Sequence, residues 1–246
     1  MNNQRQPLVE HLREIRNRLI RTVAVLVIVS GAAFFFAQHV FFPFLVLPAG
    51  DFQPIYTEIT ELLATYVKVS LLAGFVITLP YIVFQIVMFV RPALLPAEKK
   101  YLYLALPGVS ISFLIGVLFG YFVLLPPALN FLLTFGSDVA QPTIRIGNYV
   151  SVVVTLLLWL GLSFEMPFLL YLLSRLGIVR PEFLAKQRRW AVVLAFVLGA
   201  IITPTFDPLN QTLVAVPLIV LYEMGTQLSK LAWRQRGKTT PSVIQK

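Results

Sequence analysis

Long apolar runs separated by short polar segments are the dominant pattern along this chain. A helix needs about 20 apolar residues to cross a hydrocarbon core about 30 Å thick. Four predominantly apolar runs meet that length, and they cover residues 19–40, 69–90, 101–125 and 149–173. We therefore predict one transmembrane helix over each run.

A fifth apolar region, 190–222, is too long for one span and contains an internal break. The break reads Thr203-Pro204-Thr205-Phe206-Asp207-Pro208, and two prolines beside an aspartate are expected to end a helix. We predict two short helices, 190–202 and 209–224, joined by a tight turn and followed by a basic tail, 225–246. This interpretation gives six spans, whereas a re-entrant hairpin over 190–222 would leave four.

The composition agrees with a membrane protein and excludes two other classes. Apolar residues make up 58% of the 246 positions and charged residues 13%, against about 45–50% and about 25% in soluble domains. A soluble fold of this length cannot hide so much apolar surface, and a disordered chain is poor in apolar residues. We therefore predict an all-α integral membrane protein that forms a single domain over 1–246.

The basic residues indicate how the spans are oriented. All but two of the 20 lysines and arginines lie in the N-terminal segment, in the loops after the second and fourth spans, or in the tail. Basic residues collect in cytoplasmic segments, so both termini are predicted to be cytoplasmic. The net charge of +9 then reflects topology, and we expect no nucleic acid as a partner. The four-span alternative has the same orientation, so charge does not exclude it.

The two segments predicted on the outer face, 41–68 and 126–148, are long and contain several prolines. Loops of this length often have structure of their own, so we expect structured periplasmic caps. The third predicted span has a ridge of small residues spaced four apart: Gly108, Ser112, Gly116 and Gly120. Such a ridge lets a second helix pack closely.

No catalytic or cofactor-binding motif is present. The chain has no P-loop, no G-x-S-x-G, no H-E-x-x-H and no glycine-rich dinucleotide fingerprint. It has no cysteine, and His11 and His39 lie near opposite ends of the first span, too far apart to share a metal ion. We expect no enzyme activity, no cofactor and no metal site, and thus a carrier, channel, receptor or scaffold.

Glu165 is the most informative single residue, because it lies inside the fourth span. An ionised carboxylate at this depth is costly unless it faces the protein interior or a wet cavity. Pro167 removes a backbone hydrogen bond and is expected to kink the helix. Glu165 is either a functional group or a carboxylate kept protonated or hydrogen-bonded for packing alone. From the residues alone we favour a proton- or cation-coupled secondary transporter with Glu165 as the ion site, although its usual duplicated halves are absent.

Two short elements predicted on the cytoplasmic side each place one carboxylate among basic residues. Residues 7–18 have an apolar stripe at helical spacing, and Glu14 and Arg18 are spaced to pair across one turn. In the loop 89–100, Glu98 shortly after Pro96 is typical of a helix start. An interfacial helix explains residues 7–18, and a helix start explains the loop 89–100. Neither explains why both elements place one carboxylate among basic residues on the same side of the membrane.

Five short motifs occur in order along the chain. They read His11-Leu12-x-Glu14-Ile15-Arg16-x-Arg18, Phe89-x-x-Pro92-Ala93-Leu94, Glu98-Lys99-Lys100, Phe164-Glu165-x-Pro167, and Thr203-Pro204 with Asp207 and Gln211-Thr212-Leu213. Together they resemble the TatC family, the large polytopic subunits of twin-arginine protein translocases. Thr205 departs from this pattern, since the family often has a second proline there.

The resemblance implies a function that composition does not supply. TatC-like proteins recognise signal peptides with two adjacent arginines. With single-span partners of the TatA/TatB type, they pass folded proteins across the membrane, driven by the proton-motive force. The resemblance further implies an oligomeric complex in the cytoplasmic membrane of the cell. A secondary transporter, and a scaffold or insertase without signal specificity, are the alternatives.

The family's signal-binding surface corresponds to Glu14, Arg16, Phe89 and Glu98 in this sequence. Carboxylate–guanidinium pairs are often bidentate, and lysine copies them poorly. We therefore expect Glu98, helped by Glu14, to contact the two arginines of the peptide. Arg16 and Lys99-Lys100 would position these acids.

Two further sets of residues are assigned through the resemblance. Glu165, with Gln85 as a weaker candidate, would line a concave face of the bundle and meet the signal peptide or a polar group of a partner helix. Thr203 and Gln211 would form a polar patch for a partner's transmembrane helix.

Overall fold

The computed structural model describes residues 8–49, 54–91, 96–134, 143–203 and 207–239. Nearly all of this part of the chain is helical, as predicted. Its ten α-helices are α1 (Leu8–Phe36), α2 (Phe42–Val46), α3 (Ile59–Val90), α4 (Pro96–Phe119), α5 (Leu125–Thr134), α6 (Ile146–Phe164), α7 (Met166–Arg175), α8 (Pro181–Lys186), α9 (Arg188–Ile202) and α10 (Pro208–Thr239). One π-helical turn follows α1 and another joins α4 to α5.

Five helical stretches within the described residues are long and apolar enough to cross a membrane. They are Leu12–Val46, Ile59–Phe89, Leu106–Leu132, Ile146–Arg175 and Pro208–Gln235. The predicted span 190–202 corresponds to α9, which has 15 residues and a length of about 22 Å. A sixth crossing by α9 would require local thinning of the bilayer or support from its neighbours.

Three helical stretches extend furthest beyond the predicted limits. Helix α3 begins at Ile59 rather than near 69, α4 and α5 together reach Thr134, and α10 reaches Thr239. Helix α10 is therefore not the short helix that we predicted, and the predicted tail is helical up to Thr239. The apolar pattern marks the part of a helix that lies in lipid, whereas backbone hydrogen bonding continues into polar sequence until a breaker ends it.

Close contacts at glycines define the middle of the bundle, where α4 packs on α6. A Cβ added to Gly116 would lie 2.7 Å from Phe164 Cβ and 2.9 Å from the Cα of Gly161. A Cβ added to Gly120 would lie 2.9 Å from a methyl carbon of Leu160. The ridge of small residues is thus a close helix contact, as expected, because a side chain there would displace the neighbouring helix.

Two segments that precede α3 and α6 are joined at one end of the bundle. The backbone N–H of Ile55 donates to Ile144 O at 3.1 Å, and that of Ile146 donates to Ile55 O at 2.7 Å. The Glu61 carboxylate accepts a hydrogen bond from the backbone N–H of Gly147 at 2.9 Å. The described parts of segments 41–68 and 126–148 are therefore joined by hydrogen bonds.

The two ends of the bundle are distinguished by their arginines. Arg145, just before α6, contacts Glu58, just before α3, at 3.2 Å, so both helices begin at one end, the Arg145 end. Arg18, in the third turn of α1, contacts Gln85 near the end of α3 at 3.1 Å, which defines the opposite, Arg18 end. Helix α7 continues the direction of α6 and therefore ends at the Arg18 end. There Arg175, the last residue of α7, donates to the backbone carbonyl of Ala232 in α10 at 3.4 Å. Helix α1 therefore begins, and α10 ends, at the Arg18 end.

Candidate functional site

A carboxylate and a guanidinium meet at the Arg18 end. Arg18 donates from Nε and Nη2 to Glu14 Oε1, at 2.9 and 2.6 Å. Its Nη1 group donates to Oε1 of Gln85 at 3.1 Å, and Nη2 also approaches the backbone carbonyl of Met88 at 3.5 Å. Gln85 donates in turn to the Tyr81 hydroxyl at 2.6 Å. We call Glu14, Arg18, Tyr81 and Gln85 the Arg18 network.

Helical spacing and a close crossing of α1 on α3 build this network. The two residues that each helix contributes are four apart, so they share a face. The helices approach closely at Gly74, where an added Cβ would lie 2.8 Å from Ser30 Cα. Gln85 is buried, whereas the side chains of Arg18 and Glu14 are 22% and 30% exposed. The Glu14 carboxylate is therefore accessible to a ligand from outside the bundle.

Two other predicted site residues lie at the same end of the bundle. Phe89 is the penultimate residue of α3 and is partly buried. Arg16 is exposed, and its guanidinium approaches Asn17 Oδ1 at 3.5 Å. Among the described residues, the guanidinium that contacts Glu14 is that of Arg18 rather than that of Arg16.

Glu98 and Lys99 lie in the first turn of α4, which begins at Pro96 as the sequence predicts. Their side chains lie outside the part of the chain that the structure describes. Of the two acids predicted to contact the signal peptide, the structure therefore describes the side chain of Glu14.

Arg18 and Tyr81 belong to the network, although sequence reasoning did not assign either to the site. The spacing of Glu14 and Arg18 indicated a pair, but not that the pair is tied to a second helix. The contact of Arg18 with Gln85 joins positions 67 residues apart, so no local pattern could have revealed it.

Glu165 lies at the break between α6 and α7. The break forms because Pro167 has no N–H to donate to the preceding turn, and the Glu165 N–H donates to Leu162 O at 3.2 Å. The side chain is partly buried. Its Oε1 atom is buried and has no hydrogen-bond partner among the described residues. The helix is thus interrupted beside Pro167, as predicted, and an unpaired carboxylate oxygen lies inside the span.

Gln85 belongs to the Arg18 network rather than to the surroundings of Glu165. Its amide accepts from Arg18 and donates to Tyr81. Helices α3 and α6 begin at the same end, and Gln85 lies about seven residues, or about 10 Å, further along than Glu165. The two side chains therefore lie at different depths, and the described hydrogen bonds of Gln85 are with Arg18 and Tyr81.

The two residues predicted to contact a partner helix lie on either side of the α9–α10 turn: Thr203 directly follows α9, and Gln211 is in the first turn of α10. Thr203 is buried, and its hydroxyl donates to Gly199 O at 2.7 Å. Gln211 donates from Nε2 to the carbonyl of Phe196 at 2.8 Å. A Cβ added to Gly199 would lie 2.9 Å from Gln211 O, so the backbones touch here. The Thr203 hydroxyl therefore caps the end of α9, and the Gln211 side chain ties the start of α10 to α9.

An apolar groove of about 780 Å³ lies between α4, the junction of α6 with α7, and α10. Its walls include Phe164, Phe168, Tyr171 and Pro217. The described residues contain no group of three or more His, Asp or Glu that could hold a metal ion. The Arg18 network, by contrast, presents a carboxylate, which accepts hydrogen bonds from cationic groups.

The chain is similar in sequence to a family of translocase proteins. The model of the Sec-independent protein translocase protein (TatC) family matches residues 10–217. The TatC protein of Aquifex aeolicus (strain VF5) is 43% identical over 236 residues, covering 94% of this chain and 97% of the relative. The TatC protein of Escherichia coli (strain K12) is 34% identical over 230 residues, covering 92% and 88%.

The similarity extends to the fold. The crystal structure of a twin arginine translocase receptor, TatC, matches with a TM-score of 0.80 and 42% identity, covering 90% of this chain and 99% of that chain. These matches favour the translocase over the transporter and the scaffold considered above. The chain therefore belongs to the TatC family and is a multi-pass membrane subunit of a Sec-independent protein translocase.

Proposed function

We propose that this chain binds twin-arginine signal peptides at the Arg18 end. The observation that best supports this is the Glu14 carboxylate, which is partly exposed and accepts its hydrogen bonds from Arg18 through one oxygen, Oε1. Carboxylates bind guanidinium groups through strong, charge-assisted hydrogen bonds. The solved relative, whose fold this chain shares, is described as a twin arginine translocase receptor.

In this proposal the Arg18 end faces the cytoplasm, and α3, α6 and α10 cross the cytoplasmic membrane of the cell. Exposed basic residues at that end include Arg16, Arg180 and Arg189, whereas Lys68 and Arg145 lie toward the opposite end. Basic residues are enriched on the cytoplasmic side of membrane proteins. This distribution supports cytoplasmic positions for both termini.

The two arginines of the peptide require two acids, and we assign these as Glu14 and Glu98. Helix α4 begins where α3 has just ended, at the Arg18 end, so Glu98 lies on the same face of the membrane as Glu14. Arg16 and Lys99 moderate the charge of the acids, and Phe89 contributes an apolar contact beside them. Lysine cannot reproduce the planar fork of a guanidinium, so paired acids can favour an Arg-Arg peptide over a Lys-Lys peptide.

Transport itself requires partners in this proposal. Single-span proteins of the TatA/TatB type assemble with the chain into an oligomeric complex and pass folded cargo across, using the proton-motive force. Glu165 offers an unpaired carboxylate oxygen to a polar group of the signal peptide or of a partner helix. The α9–α10 turn, with Thr203 and Gln211, is the proposed contact for a partner helix.

Replacing either acid with its amide should weaken binding of an Arg-Arg signal peptide. We expect Glu98→Gln and Glu14→Gln each to lower affinity by at least about tenfold, because a hydrogen bond to a charged group contributes about 1.5–3 kcal/mol. The measurement is binding of fluorescent Arg-Arg and Lys-Lys peptides to the purified chain in lipid nanodiscs, repeated with a TatB-type partner. Expression and partner assembly should be unchanged.

Glu182→Gln is the matched control, since Glu182 is an exposed acid in the first turn of α8, also toward the Arg18 end. It should bind the Arg-Arg peptide like the parent chain. Equal binding of the two peptides by the parent chain, with and without the partner, would contradict the proposed function. Unchanged binding by Glu98→Gln would remove only that residue from the site.

Replacing Gln211 should disturb partner assembly more than signal binding. Gln211→Leu removes a polar group from the α9–α10 turn. We expect between about twofold and tenfold less co-purified partner, since a hydrogen bond contributes about 0.5–1.5 kcal/mol. Gln227→Leu, the same change further along α10, where the amide contacts Glu223 at 2.8 Å, should leave recovery unchanged. Loss of peptide binding with normal partner recovery would contradict the assignment.

A further inference from the structure

The Arg18 guanidinium is shared between two helices. On one side its Nε and Nη2 groups donate to Glu14 of the same helix. On the other side its Nη1 group donates to Gln85 of α3 at 3.1 Å. Gln85 is buried and is held by the Tyr81 hydroxyl at 2.6 Å. Because the amide of Gln85 is neutral, it orients Arg18 without competing with Glu14 for its charge.

Both hydrogen bonds from Arg18 to Glu14 converge on the same oxygen, Oε1. The second oxygen, Oε2, accepts no hydrogen bond from the residues that the structure describes, and the side chain is 30% exposed. A carboxylate has about four acceptor sites on its two oxygens. Arg18 therefore holds the carboxylate in one orientation through Oε1, and the described residues leave Oε2 without a hydrogen bond.

We propose that Arg18 is the positioning residue of the signal-binding site and the source of its preference for arginine over lysine. This inference rests on the proposed function. Arg18 fixes Glu14 through Oε1, so that Oε2 receives a guanidinium of the peptide, and the carboxylate then bridges two guanidinium groups. A group that is already oriented loses less entropy when it binds.

The charge of Arg18 explains how such a site selects arginine. Arg18 already neutralises much of the charge of Glu14, so an incoming cation gains little from charge attraction alone. The Arg-Arg and Lys-Lys peptides then differ mainly in the geometry of their hydrogen bonds to the carboxylate. A guanidinium offers a planar fork of donors, whereas the lysine ammonium is a point charge. A bare carboxylate at this position would attract either cation.

The ratio of Arg-Arg to Lys-Lys peptide affinity tests this role. Arg18→Gln, which removes the charge, should lower the ratio about tenfold, mainly through stronger binding of the Lys-Lys peptide. Gln85→Leu, which frees Arg18 from α3 without changing any charge, should also lower the ratio. Both are measured in lipid nanodiscs with the TatB-type partner present, together with the thermal unfolding midpoint.

Arg188→Gln is the matched control, because it makes the same change in another ion pair, in which Arg188 Nη2 contacts Glu223 Oε1 at 2.6 Å. It should leave the ratio unchanged. In a Glu14→Gln background, Arg18→Gln should have no further effect on the ratio, since positioning acts through Glu14. A purely structural role would lower the unfolding midpoint and weaken both peptides equally.

Three outcomes would overturn the inference. The first is a normal ratio in a folded Arg18→Gln variant. The second is a normal ratio in Gln85→Leu, which decides the question if Arg18→Gln does not fold. The third is a loss that persists in the Glu14→Gln background. If the parent chain itself shows no preference for Arg-Arg, the proposed function fails and the positioning role fails with it.

Discussion

A Gly116→Leu variant should be strongly destabilised. Even a Cβ at this position would lie 2.7 Å from Phe164 Cβ and 2.9 Å from the Cα of Gly161, and neither atom is the flexible end of a side chain. Overpacking of this kind costs about 3 kcal/mol, which corresponds to a fall of about 10 °C in the unfolding midpoint. The measurement is thermal unfolding of the purified chain in detergent.

Gly31→Leu is the matched control for this prediction. An added Cβ at Gly31 meets nothing within 4 Å, and the residue is exposed on α1. Its free energy of unfolding should be equal or higher by up to about 1 kcal/mol, because leucine favours a helix more than glycine does. Equal unfolding midpoints for the two leucine variants would contradict the close α4–α6 contact.

A Glu165→Leu variant should fold normally but lose transport. Leucine removes a partly buried carboxylate whose Oε1 has no hydrogen-bond partner among the described residues, so the unfolding midpoint should be equal or higher. A polar group of the signal peptide or partner helix that meets Glu165 would lose its own partner. Leaving it unpaired costs about 1–3 kcal/mol, so transport of a reporter into membrane vesicles should fall about tenfold.

Two companion variants sharpen this second test. Glu165→Gln keeps a hydrogen-bonding group and should retain more transport than Glu165→Leu. Ser163→Ala is the control, because the Ser163 hydroxyl donates to Trp159 O in its own helix at 2.7 Å, and it should transport normally. Full activity of Glu165→Leu would mean that the carboxylate serves packing alone.

The local patterns of the sequence predicted most helices but few of their ends. Apolar runs are detectable wherever lipid or protein covers a helix, which is why the five long stretches were found. Helix α10 continues to Thr239 because its polar C-terminal half packs against α7, as the contact of Arg175 with Ala232 shows. Hydropathy does not report such contacts, so the last helix was expected to end near 224.

The candidate site was predictable only in part, for a related reason. The run of motifs predicted Glu14, Phe89 and Glu98 as residues of one site. Helical spacing also predicted the pair of Glu14 and Arg18. It did not predict that Arg18 contacts Gln85, because only the packing of α1 on α3 brings these two residues together. The hydrogen-bond partners of a residue on one helix are supplied by the helix that packs against it, and those partners are distant in the sequence.

The amino-acid sequence by itself determined the membrane class, the all-helical fold, most of the spans and the TatC family. These properties depend on apolar runs, charge bias and short motifs, which are all local. The tertiary structure decided which groups touch. Arg18 is tied to Gln85 across 67 residues, and Gln211 to the backbone of α9, because helix packing brings together side chains that no local pattern relates.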